Sequence, residues 1–338
     1  MGAFGLYTHI QANRRRSVLL IAGLFFLVYV LTYAGALLGR AFFTEAPLDV
    51  VLAAAFEDLL WAAPAATILT IIWVLIAYNW HERMIDAVTG ARGIDREDDP
   101  ELYNLLENMC ISRGIPMPRL KIVDSDALNA FATGLNEKQY SISVTSALRQ
   151  HLTRDEMEAV LGHELTHIRN GDVRVLVISV VMAGIISFIG ELVFRAVFRS
   201  GIRTMPRRPS GDRKGNGMAI AVMIAIALIL LSWLLSIVIR FALSRAREYL
   251  ADAGAVELTK NPDAMISALR KIENRGEIEG ATSAVMEMCV DNPRNDFADL
   301  FATHPSISDR IEAIIDHAGG VDPGYIDYLK YQKGSDHE

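Results

Sequence analysis

Apolar and polar stretches alternate along the chain in blocks that are long enough to be membrane spans. The apolar blocks cover residues 17–39, 59–80, 173–198 and 218–241. At a rise of about 1.5 Å per residue, each block can cross a hydrocarbon core that is about 30 Å thick. The pattern therefore predicts four apolar helices, arranged as two membrane hairpins. A cleaved signal peptide is the alternative for the first block, but its apolar core would be shorter and no persuasive cleavage site follows.

Basic residues indicate how these hairpins are oriented. Arg14, Arg15 and Arg16 directly precede the first block, and such clusters favour the cytoplasmic side. The loop at 199–217 is also rich in arginine, yet four full spans would place it outside. The sequence therefore leaves open whether residues 173–241 cross the bilayer completely. In either case a hairpin returns the chain to the side that it left, so the segments that flank this hairpin can meet.

The segment between the hairpins has the composition of a soluble domain. An amphipathic helix is predicted over 99–113, where Gly114 ends it, and short strands are predicted over 120–123 and 140–144. We therefore expect a mainly α membrane protein with a small sheet in an additional domain. The expected divisions are 1–80 for the first hairpin, 81–172 and 242–338 for the two parts of that domain, and 173–241 for the second hairpin.

A helix with both ends marked is predicted over 153–170. Thr153 is a candidate N-cap, and Glu156, three residues later, completes a capping box. Gly171 follows the helix, at the position where a left-handed cap usually ends one.

This helix carries the motif H-E-L-T-H at 163–167. His163 and His167 are four residues apart, so their imidazoles project from one face and can bind the same metal ion. Glu164 lies one step round the helix, where it can act on a metal-bound water without binding the metal. The alternative is a surface helix with two solvated histidines.

A zinc hydrolase site also needs a third protein ligand, because two imidazoles and a water do not complete a tetrahedral shell. Glu248 and Asp252 share a face of the helix that we expect around 244–252. Glu248 can be the third ligand, and Asp252 can accept a hydrogen bond from a ligand imidazole and fix its tautomer. The alternative is a solvated acidic face beside Arg245 and Arg247.

Charge and cysteine content exclude two further classes. The formal net charge is -7, which argues against a nucleic-acid partner. Cys110 and Cys289 lie far apart and lack the C-x-x-C spacing, so we expect two reduced thiols.

Four motifs together resemble those of the HtpX-type membrane zinc metallopeptidases, which are related to the CAAX prenyl endopeptidases. They are N-A-F-A-T-G at 129–134, H-E-L-T-H at 163–167, R-E-Y-L-A-D at 247–252 and T-H-P-S at 303–306. The resemblance implies a gluzincin-like α+β metallopeptidase domain. It further implies one Zn²⁺ per chain, bound by His163, His167 and Glu248, with Glu164 as the catalytic base.

The resemblance also implies how a substrate is held. The segment of Asn129, Ala130 and Phe131 and the strand that follows would bind the substrate in extended form. We expect an edge strand near Ser141 and Ser143 to pair with an unfolded peptide through main-chain hydrogen bonds. This mode tolerates many side chains, and it suits the degradation of misfolded membrane proteins that the resemblance implies.

His304 and Arg310 flank the start of the last predicted helix, which Ser306 can cap and Gly319 can end. A zinc peptidase needs a donor for the oxyanion that develops on the scissile carbonyl. We expect His304 to be that donor, and Arg310 to position it or share the charge. The alternative is a surface histidine at a helix start.

The expected protein is a multi-pass zinc endopeptidase of the inner (plasma) membrane with a cytoplasmic catalytic domain. Its expected partners are the lipid bilayer and unfolded or misfolded membrane proteins, and its oligomeric state is left open. Two alternatives remain. A CAAX-type processing protease would need a large enclosed chamber, whereas a non-catalytic membrane protein with a structural zinc site would have no use for Glu164.

Overall fold

The structure, a computed structural model, describes residues 6–44, 46–200, 213–241, 245–293 and 304–323. The chain divides into two compact units. Unit 1 contains Met1–Arg16, Trp80–Val177 and Phe241–Glu338, and unit 2 contains Ser17–Asn79 and Ile178–Arg240.

Helices dominate the described part of the chain, and a small sheet accompanies them. The helices are α1 (Leu6–Phe43), α2 (Leu48–Thr89), α3 (Pro100–Arg113), α4 (Ser146–His151), α5 (Arg154–Asn170), α6 (Asp172–Ser200), α7 (Arg213–Phe241), α8 (Ala246–Thr259), α9 (Pro262–Ile272), α10 (Ser283–Met286) and α11 (Ile307–Ala318). The strands are β1 (Arg92–Gly93), β2 (Arg119–Val123), β3 (Ala130–Thr133) and β4 (Ser141–Thr145).

Three helices are long and apolar enough to cross a membrane, as judged over the described residues. The candidate spans are Arg15–Phe43 in α1, Leu48–Thr89 in α2 and Gly217–Leu235 in α7. The expectation of apolar helices is confirmed, but with three candidate spans rather than four. The fourth block, 173–198, lies in α6, where the side chains at 183, 187–194 and 196–200 lie outside the described residues.

Small side chains form the core of unit 2. Ala34 of α1, Ala55 of α2, and Ala221 and Ala225 of α7 are fully buried in one cluster. Small residues let apolar helices approach closely, which is how helices associate where no water surrounds them. Large apolar side chains cover the outside of α2 instead, as a lipid-facing surface requires; they include Leu60, Trp61, Ile68 and Leu69.

The sheet of unit 1 has the strand order β1-β2-β4-β3. β2 and β4 are parallel, with Leu120 opposite Ile142, and β3 is antiparallel to β4, with Phe131 opposite Ser143. The strands predicted over 120–123 and 140–144 are confirmed as β2 and β4. β3 lies in the segment that was predicted only as the connection between them.

The expectation of an edge strand at Ser141 and Ser143 is wrong. β4 is a central strand, because its main chain pairs with β2 on one side and with β3 on the other. Parallel strands need a crossover connection between them. β3 lies in the connection from β2 to β4, and it joins the sheet on the side of β4 that faces away from β2. β3 also meets another segment on its outer side, where Phe131 forms an isolated antiparallel bridge with Cys289.

The predicted caps of α5 are confirmed. The Thr153 hydroxyl accepts a hydrogen bond from the Glu156 N–H at 3.4 Å, and the Glu156 carboxylate accepts one from the Thr153 N–H at 2.7 Å. Gly171 adopts a left-handed conformation with φ 73° and ends the helix. These caps fix where α5 begins and ends, and therefore how its histidines are directed.

Two glycines allow α5 and α8 to pack closely. A Cβ on Gly162 would lie 3.3 Å from the Cα of Ala255, and a Cβ on Gly254 would lie 2.4 Å from a methyl group of Thr166. The second distance is a clash, so any larger residue would push the helices apart. This close approach brings the acidic face of α8 onto the histidine face of α5.

Candidate metal centre

Three side chains converge where α5 meets α8. The Nε2 atoms of His163 and His167 are 3.0 Å apart, and Glu248 Oε2 lies 3.6 Å from the first and 3.7 Å from the second. All three side chains are buried, and their ligand atoms lie within 4.8 Å of one another. The structure thus brings together the three residues that the sequence suggested as metal ligands.

A carboxylate supports each imidazole from behind. Asp252 Oδ1 lies 2.9 Å from His163 Nδ1, and Asp172 Oδ2 lies 3.1 Å from His167 Nδ1. An imidazole whose Nδ1–H donates to a carboxylate keeps its Nε2 lone pair for a metal. Asp252 was expected in this role, whereas Asp172 was not. The sequence offers one signal for Asp172: it is an acidic residue that directly follows Gly171, where the helix with both histidines ends.

The arrangement of donor atoms fits a divalent cation. The distances from Glu248 Oε2 to both imidazoles are too long for hydrogen bonds, and this buried oxygen has no hydrogen-bond partner among the described residues. Although burial opposes a charge on His167, Glu248 and Asp172 raise its pKa to about 10. The pocket therefore favours positive charge between the imidazoles. Two imidazole nitrogens and a carboxylate oxygen are typical zinc ligands.

Glu248 is itself fixed in an ionised state. Burial opposes its charge, but the positive charge that the site favours on His167 holds the pKa of Glu248 well below the usual range. Arg247 Nε donates to Glu248 Oε1 at 3.1 Å. Oε1 is thereby oriented while Oε2 faces the two histidines. From the sequence, Arg247 was expected only as a neighbour of a solvated acidic face.

Glu164 is buried on α5 beside the first histidine. Burial raises its pKa, and the charges of His163 and His167 act in the opposite direction. A carboxylate in such a balance can accept a proton and release it again.

The structure brings His304 to the same cluster. The side chain is buried, and its Nε2 lies 3.7 Å from Glu248 Oε1. Burial, with the positive charges of Arg247 and Arg310, lowers the pKa of His304 to about 4, although the Glu248 carboxylate acts in the opposite direction. His304 is therefore a neutral imidazole at pH 7, which can donate one N–H.

Arg310 has a different position from the expected one. It is fully buried, and its Nε and Nη2 donate to the two oxygens of Asp252 at 2.8 and 2.6 Å. Its Nη1 donates to the Val290 carbonyl at 2.8 Å. The guanidinium therefore holds Asp252, which in turn orients His163. This geometry favours a positioning role for Arg310 over a direct one on the oxyanion.

The other predicted substrate residues lie inside the fold. The Asn129 side chain is buried, and its Nδ2 donates to the carbonyls of Gly276 and Asp291, both at 2.7 Å. Ala130 and Phe131 are completely buried in β3. Asn129 therefore braces the start of β3, because both of its amide hydrogens are used there.

Two imidazoles on one helix and a glutamate on a second, each imidazole supported by a carboxylate, define a metallopeptidase site. The chain belongs to Peptidase family M48, whose sequence model matches residues 96–318. The protein is accordingly a metalloprotease, and its apolar helices make it a membrane protease.

Individual relatives agree with this family. The chain is 37% identical over 317 residues to the Protease HtpX homolog of Bacteroides fragilis, covering 91% of this chain and 97% of the relative. It is 36% identical over 313 residues to the Protease HtpX homolog of Lactobacillus helveticus, covering 91% and 99%. Among solved structures it is similar to S. mikatae Ste24p, with 21% identity, a TM-score of 0.46, and coverage of 76% of this chain and 58% of the other.

Proposed function

We propose that the protein is a membrane-embedded zinc endopeptidase that binds one Zn²⁺ per chain through His163, His167 and Glu248. The observation that carries this proposal is the group of three ligand atoms within 4.8 Å of one another, with Glu164 beside them on α5. Three protein ligands leave one position of a tetrahedral zinc open, as catalysis requires. A structural site would close that position and would have no use for Glu164.

Glu164 is the general base of this mechanism. Bound Zn²⁺ supplies a Lewis acid that acidifies water and polarises a carbonyl group. The Glu164 carboxylate takes a proton from the attacking water and delivers it to the nitrogen of the leaving amine. Because burial raises its pKa, the carboxyl group holds that proton between the two transfers more readily than an exposed glutamate would.

His304 is the donor to the developing oxyanion. As a neutral imidazole buried 3.7 Å from Glu248, it can present an N–H without adding a second positive charge to the site. A preorganised donor of this kind typically contributes about 3 kcal/mol in the transition state. Arg310 acts indirectly: it holds the carboxylate of Asp252, and Asp252 orients the imidazole of His163.

The substrates are misfolded or damaged membrane proteins, which are cleaved at the cytoplasmic face of the plasma membrane. Arg14, Arg15 and Arg16 before the first span support a cytoplasmic N-terminus. The likeness to HtpX-type proteases supports a role in protein quality control. The CAAX-type alternative needs a large enclosed chamber, which the four apolar blocks of the sequence are too few to build.

Zinc content and casein cleavage, both measured on the purified full-length protein with and without a chelator, test this proposal. We expect one zinc per chain, loss of cleavage on chelation and recovery on adding zinc. Glu248→Ala should reduce zinc occupancy, whereas Glu257→Ala, an exposed glutamate later in α8, should not. Cleavage that persists in zinc-free protein would refute the proposal.

A further inference from the structure

The N-terminal part of α1 contributes a buried side chain close to the metal centre. Asn13 belongs to unit 1 and is only 3% exposed. Its Nδ2 donates to Asp172 Oδ1 at 2.7 Å and to the Asn170 carbonyl at 3.0 Å. These partners lie 159 and 157 residues away in sequence, so the contact is entirely tertiary.

Asp172 connects this asparagine to a ligand. Its Oδ1 accepts from Asn13, while its Oδ2 lies 3.1 Å from His167 Nδ1. A carboxylate that is fixed through one oxygen holds the other in a fixed direction. Since that direction sets the ring orientation and tautomer of His167, the position of Asn13 is transmitted to His167 Nε2.

The orientation of Asn13 is itself fixed. Arg16, one helical turn later, donates from Nη1 to Asn13 Oδ1 at 3.4 Å, which identifies the oxygen and leaves the amide hydrogens for Asn170 and Asp172. A residue needed only to end α5 would bond the Asn170 carbonyl and no more. The second and shorter bond is directed at the carboxylate that supports a ligand.

We propose that Asn13 is a positioning residue of the metal centre, acting on His167 through Asp172. The inference rests on the proposed function, in which His167 binds zinc. It makes the start of α1, the helix that continues into the span Arg15–Phe43, an integral part of the site. Metal is then held tightly only when this N-terminal segment is docked in unit 1.

The test measures the zinc dissociation constant of the full-length protein in detergent, by competition with a chromogenic chelator. Asn13→Ala should weaken zinc binding about tenfold, the lower end of what loss of such a supporting partner costs. Asn13→Asp keeps the shape of the side chain but places a second carboxylate against that of Asp172. Because the two negative charges repel each other, this variant should weaken zinc binding more than Asn13→Ala does. Asn79→Ala is the matched control, because this exposed asparagine donates to a carbonyl of its own helix, that of Leu75; the zinc affinity of this variant should be that of wild type.

A double-mutant cycle with Asp172→Ala separates this role from a general effect on folding. If Asn13 acts through Asp172, adding Asn13→Ala to Asp172→Ala should change zinc affinity by less than about twofold. Equal losses in both backgrounds, or wild-type zinc affinity in both Asn13 variants, would overturn the inference. If wild type binds one zinc per chain and Asn13→Asp binds it with the same affinity, this inference fails but the proposed function stands. If wild type binds no zinc, the proposed function fails as well.

Discussion

Replacing Arg310 by methionine should destabilise the contact between α8 and α11 without removing a metal ligand. The guanidinium is fully buried and makes two hydrogen bonds to Asp252, which is 2% exposed, and one to the Val290 carbonyl. Methionine keeps much of the apolar stem but leaves the Asp252 carboxylate buried without its cation. Breaking such a buried pair from one side costs about 3 to 5 kcal/mol.

The lower end of this range applies to Arg310, because Asp252 keeps its second partner, His163 Nδ1, at 2.9 Å. We therefore expect a loss of about 3 kcal/mol, which corresponds to a change of about a hundredfold in an opening equilibrium. Hydrogen exchange of the α8 amides, followed by mass spectrometry on the zinc-free full-length protein, measures that equilibrium locally. Exchange in Arg310→Met should be about a hundred times faster.

Arg113→Met is the matched control, since this exposed arginine also donates to α8, at the carbonyls of Glu257 and Leu258. Its loss should change the exchange by less than about tenfold, because exposed contacts contribute about 1 kcal/mol or less. In an Asp252→Asn background, Arg310→Met should cost much less than alone, because no buried charge is left unpaired. Additive costs in the double variant, or wild-type exchange in Arg310→Met, would show that Arg310 does not stabilise this contact through Asp252.

Three further outcomes are expected. His304→Ala should lower kcat about a hundredfold with zinc occupancy and KM little changed; an unchanged kcat, or a loss explained by missing zinc, contradicts the assignment. A cysteine at Glu97, with Cys110 and Cys289 replaced, should resist an impermeant thiol reagent in intact cells, and ready labelling would invert the topology. Burial raises the pKa of Asp291 from 3.8 to about 6. The folded protein therefore resists ionisation of this carboxyl group, and its free energy of unfolding falls as the pH rises from about 3.8 to about 6. Asp291→Asn should therefore stabilise the protein by about 2 to 3 kcal/mol at pH 7 and have no such effect near pH 3.5, as measured by the exchange of neighbouring amides; equal effects at both pH values would contradict this.

Local patterns predicted α5, its caps and the shared face of its two histidines well. The capping box of Thr153 and Glu156 and the terminating Gly171 depend only on neighbours along the chain, so they could be read directly. The i, i+4 spacing fixes the two histidines on one face in the same way. The meeting of α5 with Glu248 of α8 was predicted from the hairpin between them, which returns the chain to the side that it left, and from the motif resemblance.

Contacts between residues far apart in the chain could not be predicted from the sequence. The central position of β4 follows from where β3 adds to the sheet, and nothing in the composition of either strand encodes that order. Arg310 was expected to position His304 or to share the charge of the oxyanion, but it is buried and paired with Asp252. Nothing local indicates the role of Asn13, because Asn170 and Asp172, which accept its amide hydrogens, lie more than 150 residues away.

Glu164→Gln separates zinc binding from proton transfer, when bound zinc and casein cleavage are measured on the same preparation of full-length protein. The amide preserves the shape of the carboxylate but cannot take a proton from water. If Glu164 is the general base of a zinc peptidase, this variant should bind one zinc per chain, as wild type does, and its cleavage rate should fall at least about a hundredfold. Cleavage at the wild-type rate by Glu164→Gln with zinc bound would contradict this role.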